Sequence, residues 1–229
     1  MRKETSCNIE KAIEGCINSL AEKFLKWPYN FFTESDAHSY LYYYIFRSGP
    51  KALKLLYPTN EKGIKTVLIH REYPTSFRYR KNSMQLDETG GKGHYDLVVL
   101  NPAFIKKHSL EQVIAKNYKK CCREEKNQLL AAIEFKLIVS PLSKSVKEEI
   151  KKDFTKLSWA LDLGQAVNSY MIVFNRVRPE DDFINQFKSF SEESPEVKGI
   201  YVESSKRGGR HYRVIYTDNW TKRLRFEKS

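Results

Sequence analysis

Residues 128–139 read Gln-Leu-Leu-Ala-Ala-Ile-Glu-Phe-Lys-Leu-Ile-Val, an apolar run interrupted by one acid and one lysine two positions apart. Alternate side chains share a face in a strand. Glu134 and Lys136 therefore point one way, and Ile133, Phe135 and Leu137 the other. Two charges inside a sheet this apolar are costly unless they pair or bind something. A second strand is predicted upstream at residues 94–100, His-Tyr-Asp-Leu-Val-Val-Leu, with a single acid, Asp96, near its start. An Asp followed on a later strand by Glu-x-Lys is an arrangement that can hold a divalent metal beside a phosphodiester. The plainer alternative is a turn-capping Asp96 with a Glu134–Lys136 ion pair on a solvated strand edge.

The chain carries a net charge of +12, with a pI near 9.4. That excess favours a polyanionic partner through long-range attraction and counterion release. With 229 residues, 41% of them hydrophobic, the chain can build one large core, and it is too apolar to be disordered. Cys7, Cys16, Cys121 and Cys122 lack the spacing of a zinc knuckle, and adjacent Cys121 and Cys122 would form only a strained disulfide. No apolar stretch reaches membrane-spanning length and no signal-type segment follows the N-terminus. A single reduced, cytoplasmic domain over residues 1–229 is the expectation.

Apolar spacing predicts helices at 8–26, from Glu34 to Phe46 behind an N-capping Thr33, and at 51–56. Strands are predicted at 64–73, with 75–80 extending it or beginning the next, at 94–100 and at 129–139. A polar, Gly-rich loop is expected at 81–93 and a charged helix at 108–126. Residues 144–163 give the clearest amphipathic helix, stopped at Gly164. A strand at 168–174, a helix at 181–190 and strands near 198–203 and 211–217 complete the pattern. Strands interleaved with helices predict an α/β fold, a mixed central sheet flanked by helices.

Glu-x-Lys occurs three times, at 134–136, 149–151 and 196–198. The second falls in a predicted helix, where residues two apart diverge, and the third in a polar turn. Asp96 in His-Tyr-Asp-Leu-Val-Val, followed by Glu134-Phe135-Lys136 in Ala-Ile-Glu-Phe-Lys-Leu, resembles the PD-(D/E)XK nuclease superfamily, with its restriction-endonuclease-like fold. The resemblance covers roughly residues 33–175. It implies an αβββαβ core with a helical insertion at 102–128 and a C-terminal α/β extension at 176–229. Tyr95 stands where the motif usually has Pro. Gln165 and Tyr170 are one residue too far apart for the Gln-x-x-x-Tyr signature of the RecB-like branch.

The resemblance further implies a metal-dependent endonuclease or exonuclease acting on DNA rather than RNA, sometimes as a homodimer. Asp96, Glu134 and the carbonyl of Phe135 would ligate Mg²⁺, with Mn²⁺ as a substitute, and Lys136 would stabilise the transition state or position water. An acid on the preceding helix completes many such sites. Glu34 is the candidate, Asp36 the second, and Glu72 a strand-end acid that could approach. For Glu34 the alternative is an acid placed favourably on the helix dipole. Lys92 precedes Asp96, and Lys206, Arg207, Arg210 and Arg213 form a basic hairpin tip; these are the candidate nucleic-acid contacts, with an ordinary solvated hairpin as the alternative for the tip. Asp153 and Lys156, three apart on the long helix, read by default as a surface ion pair, though they could instead face the substrate side. Tyr40 and Tyr42–Tyr44 look like a base-stacking cluster, but at helical spacing they read by default as packing. A non-catalytic nucleic-acid-binding module on the same fold is the alternative function.

Overall fold

The computed structural model describes residues 3–48, 51–114, 125–177, 181–205, 211–217 and 219–220. The first apolar stripe folds as α1 (Lys3–Lys26), burying Ile13, Ile17, Leu20 and Phe24, and Pro28 opens a 3₁₀ turn beyond it. Helix α2 (Glu34–Ser48) starts behind Thr33 as expected. The side chain three residues on does the capping: Asp36 accepts from the N–H groups of Phe32 and Thr33 at 2.8 Å each. After the short α3 (Lys51–Lys54), β1 (Tyr57–Pro58) and β2 (Lys65–Thr66) form a ladder of their own.

The main sheet has seven strands. β3 (Ile69–Arg80) is one continuous strand that shifts register between Pro74 and Arg78. The expected loop at 81–93 instead contains β4 (Gln85–Leu86), which folds back on β3, and the start of β5 (Gly91–Leu100). The single helix expected at 108–126 is replaced by α4 (Pro102–Lys107), capped by Asn101, and α5 (Leu110–Ile114); residues 115–124 of that expectation lie outside the described ones. Then follow β6 (Leu129–Ile138), α6 (Lys144–Asp162), β7 (Ser169–Asn175), α7 (Asp181–Glu193), β8 (Lys198–Ser205) and β9 (His211–Tyr216).

The strand order is β4-β3-β5-β6-β7-β8-β9. β5 runs antiparallel to its neighbours β3 and β6; β6, β7 and β8 run parallel, and β9 is antiparallel at the far edge. The two parallel steps need crossovers, and α6 and α7 supply them. Phe174 stacks on Phe24 of α1 and Phe135 lies against His38 of α2, so α1 and α2 cover one face. On the other, Phe154 of α6 meets Phe187 of α7, and Phe187 meets Tyr201 of β8. The chain is thus an α/β protein with a mixed sheet flanked by helices. Among the described residues no helix is long and apolar enough to cross a membrane.

Candidate active site

β5 and β6 part company at the site. Their ladder pairs Val99 with Ala131, Val98 with Ala132 and Leu97 with Ile133, and no pair follows toward Asp96 and Glu134. Past that point side chains replace backbone pairing. Asp96 Oδ2 accepts the Phe135 N–H at 2.7 Å. The N–H and C=O of one strand residue point to the same side, so the Phe135 carbonyl also faces the split. Glu134 and Lys136 alternate with Phe135 and face α6, as the strand period requires.

Three turns of α6 answer them. Lys156 Nζ lies 2.8 Å from Glu134 Oε1 and 3.2 Å from Asp153 Oδ1, and it donates to the His94 carbonyl at 3.0 Å. Glu134 Oε1 is close to that ammonium but off the hydrogen-bond direction, and it has no hydrogen-bond partner among the described residues. Lys136 Nζ lies 3.0 Å from Glu149 and 3.4 Å from Glu34, whose Oε1 also accepts the Leu137 N–H at 3.3 Å. A cavity of about 390 Å³ opens beside these groups, with Lys81, Lys136, Lys152 and Lys156 in its wall.

Burial sets the protonation pattern. Glu134 is 3% exposed and Lys156 7%. Burial pushes the Glu134 carboxyl well above the usual range against the pull of Lys156, with Asp153 and Asp96 adding to the rise. Burial also raises Asp96, but His38, the Phe135 N–H and Lys156 outweigh it and hold that carboxyl below its ordinary value. Burial lowers Lys136, but Glu34, Glu149 and Asp153 outweigh it, leaving the ammonium above its ordinary value. Both lysines are cations at neutral pH.

His38 backs the site from α2. Arg71 reaches its Nδ1 at 3.2 Å, and a guanidinium can only donate. The ring proton therefore sits on Nε2, which lies 3.7 Å from Asp96 Oδ2 and has no hydrogen-bond partner among the described residues. In that tautomer His38 steadies Asp96 rather than offering a lone pair to a metal.

Of the residues expected from sequence, Asp96, Glu134, Phe135, Lys136 and Glu34 come together. Glu72 is exposed on β3 with a left-handed φ of 52°. Asp36 is spent on the α2 cap. Lys92 lies on β5 opposite Arg78. Arg213 lies on the far-edge strand with Nε 3.2 Å from the buried Glu203. Lys206, Arg207 and Arg210 lie outside the described residues. The Asp153–Lys156 pair is not on the surface as expected: it closes over Glu134. His38, and Glu149 from the helical Glu-x-Lys set aside above, join the site without having been expected there. The available signals were the i, i+4, i+7 charged set Glu149, Asp153, Lys156 on α6, and the placing of His38 one turn after Glu34.

Among the described residues no group of three or more His, Cys, Asp or Glu side chains is arranged to hold a metal. A metal here would have two carboxylates and a backbone carbonyl. That set suits Mg²⁺, which keeps several waters and takes one or two carboxylates, better than a cation needing an all-protein cage. Comparison with protein-family models, curated proteins and solved structures finds no match.

Proposed function

We propose that the protein is a metal-dependent nuclease that hydrolyses phosphodiester bonds in DNA. The observation that carries this reading is the convergence of Asp96, Glu134 and the Phe135 carbonyl on the split between β5 and β6, with Lys136 beside them. The order α2, β3, β5, β6, α6, β7, with β6 and β7 parallel, supports it by agreeing with the αβββαβ core of the restriction-endonuclease-like fold. That agreement alone would say nothing of activity.

In this reading Asp96 and Glu134 hold Mg²⁺ or Mn²⁺, which supplies Lewis acidity and a more acidic bound water. Asp96, ionised and steadied by His38, is the ready ligand. Glu134, whose carboxyl burial raises, would join it as an ionised ligand only with Lys156 displaced or shared. Lys136, a cation oriented by Glu34 and Glu149, faces the charge that builds on the phosphate. Lys81 and Lys152 in the cavity wall attract the polyanion.

The Lys156–Glu134 pair favours a second reading, a nucleic-acid-binding module on the same scaffold without catalysis, because the ammonium already neutralises a proposed metal ligand. One assay separates the two. Supercoiled, linear and single-stranded DNA, with RNA alongside, are incubated with Mg²⁺, Mn²⁺ or EDTA, using wild type, Glu134→Ala and Lys136→Ala. Cleavage of DNA that needs metal and disappears in both variants is expected. Cleavage that survives both substitutions refutes the site. Salt-sensitive binding without cleavage establishes the second reading.

A further inference from the structure

We propose that the face formed by the end of α1, the following turn and α2 binds an unpaired stretch of DNA by base stacking. The inference extends the proposed function by naming a strand form, and it relies on that reading only for the choice of DNA.

The face combines exposed rings with cations. Trp27 is 42% exposed, Tyr43 47% and Phe32 72%. These rings do not belong to the core, which takes Phe24, Phe31, Ala37 and Leu41 from the same segments. Lys23 and Lys26 rest 4.2 and 4.4 Å from the Trp27 ring centre, and Lys23 lies 5.4 Å from that of Tyr40. Arg47 lies 5.7 Å from the Tyr43 ring centre and donates to its hydroxyl. Arg176, at the end of β7, lies 5.9 Å from the Tyr29 ring centre and donates to the Phe31 carbonyl. A cavity of about 610 Å³ follows α2, with Lys23, Tyr40, Tyr43 and Arg47 in its wall.

Cations set against rings, rather than against carboxylates, match a single strand in which each nucleotide offers one anion and one flat apolar base. Every base has a π-face, so stacking platforms of this type are tolerant of sequence. At an exposed ring the cation–π attraction is weak, so the lysines can turn to a phosphate at little cost. Three acids adjoin the face. Glu34 at the start of α2 is turned to Lys136 and the Leu137 N–H. Asp36 is occupied by the α2 cap, whose N–H groups lower its pKa. Glu22 lies near Tyr44, whose hydroxyl is raised by burial first and then by Tyr40, Tyr43 and Glu22, against the pull of Arg47. Beside these acids stand Lys23, Lys26, Arg47 and Arg176. The face runs toward the candidate active site, because Phe32 leads directly into Glu34 at the start of α2. A duplex hides its bases and would leave the rings unused.

The test is a titration in EDTA, so that no strand is cut, with an oligo(dT), a duplex of equal length and an oligo(U). Of the three tryptophans, Trp159 is half-buried and Trp220 buried, so Trp27 is the reporter. Oligo(dT) is expected to quench emission. Trp27→Leu should abolish most of the quench and weaken binding by about tenfold, and Tyr43→Leu should weaken it by a similar factor with the quench intact. Duplex affinity should be unchanged in both variants. Melting temperatures equal to that of wild type confirm that each variant is folded. Oligo(dT) affinity indifferent to both rings overturns the proposal, as does duplex binding with the same ring dependence, or oligo(U) bound more tightly than oligo(dT). Absence of cleavage with Mg²⁺ would sink the nuclease reading and leave this surface standing, whereas affinity blind to both rings would do the reverse.

Discussion

Lys156 decides the state of the candidate active site. Its ammonium lies among the Glu134 carboxylate, the Asp153 carboxylate and the His94 carbonyl, where a divalent cation would also find oxygen ligands. Removing one member of a buried ion pair strands the other. Lys156→Met is therefore expected to destabilise the metal-free protein in urea unfolding, by less than the roughly 3–5 kcal/mol of a fully charged pair, because burial already raises the Glu134 carboxyl and lets it take up a proton. The same variant should gain more stability from added Mg²⁺ than wild type does, because a ligand that binds only the folded state stabilises it in proportion to its occupancy. Equal gains in the two proteins would show that ammonium and metal do not compete for Glu134. Sequence leaves open which way this residue faces. An Asp and a Lys three apart on a helix look the same in sequence whether the helix turns them to solvent or to a sheet. Glu134 and Lys136 were legible as a pair because strand alternation fixes their shared face without knowledge of the partner, and Asp96 joined them through the resemblance.

At the level of elements, the long periodic segments were readable and the short ones were not. The period in α6 predicted 144–163 and the helix runs Lys144–Asp162, ended by Gly164 at a φ of 71°. The stretch at 81–93 lacked any period, so the two-residue β4 and the early start of β5 could come only from pairing with β3. Residues 64–68 were apolar enough to join β3, yet the strand begins at Ile69. His70 helps to fix that start: its Nε2 lies 2.9 Å from the Val67 carbonyl. Burial lowers the ring's pKa from the ordinary 6.5, against the opposing pull of that carbonyl. The unfolded chain then takes up the proton first as pH falls through 6.5, so stability drops until the lower folded pKa is passed. His70→Gln retains an N–H for Val67 and removes the titration. Urea midpoints measured across this window should fall less steeply with acid in the variant than in wild type. Equal slopes would assign the pH dependence to other groups.

Across the whole molecule, the first helix is bound to the last two strands of the sheet. Lys198 at the start of β8 pairs with Glu10 and with Glu14, the latter at 2.6 Å, and both acids belong to α1. Ser204 Oγ donates to the Leu25 carbonyl at 3.1 Å, and Tyr216 to Asn18 at 3.2 Å. Sequence alone left open whether 176–229 recognises a ligand or completes the fold. Its described strands complete the sheet, and Trp220 closes edge-on over Tyr170 at 5.8 Å. No local pattern could have shown this, since the contacts join residues far apart in sequence. Glu14 is fully buried and Lys198 is 7% exposed, so the pair carries a large penalty if broken. Lys198→Met leaves the Glu14 carboxylate without its cation and should cost about 3–5 kcal/mol. Because α1 packs on the same sheet that carries Asp96 and Glu134, the loss should appear as one cooperative urea transition at a lower midpoint, with tryptophan emission and far-UV ellipticity falling together. Two separated transitions would mean that α1 and the far edge of the sheet melt independently of the candidate active site, and an unchanged midpoint would mean that Lys198 does not hold α1 to β8 in solution.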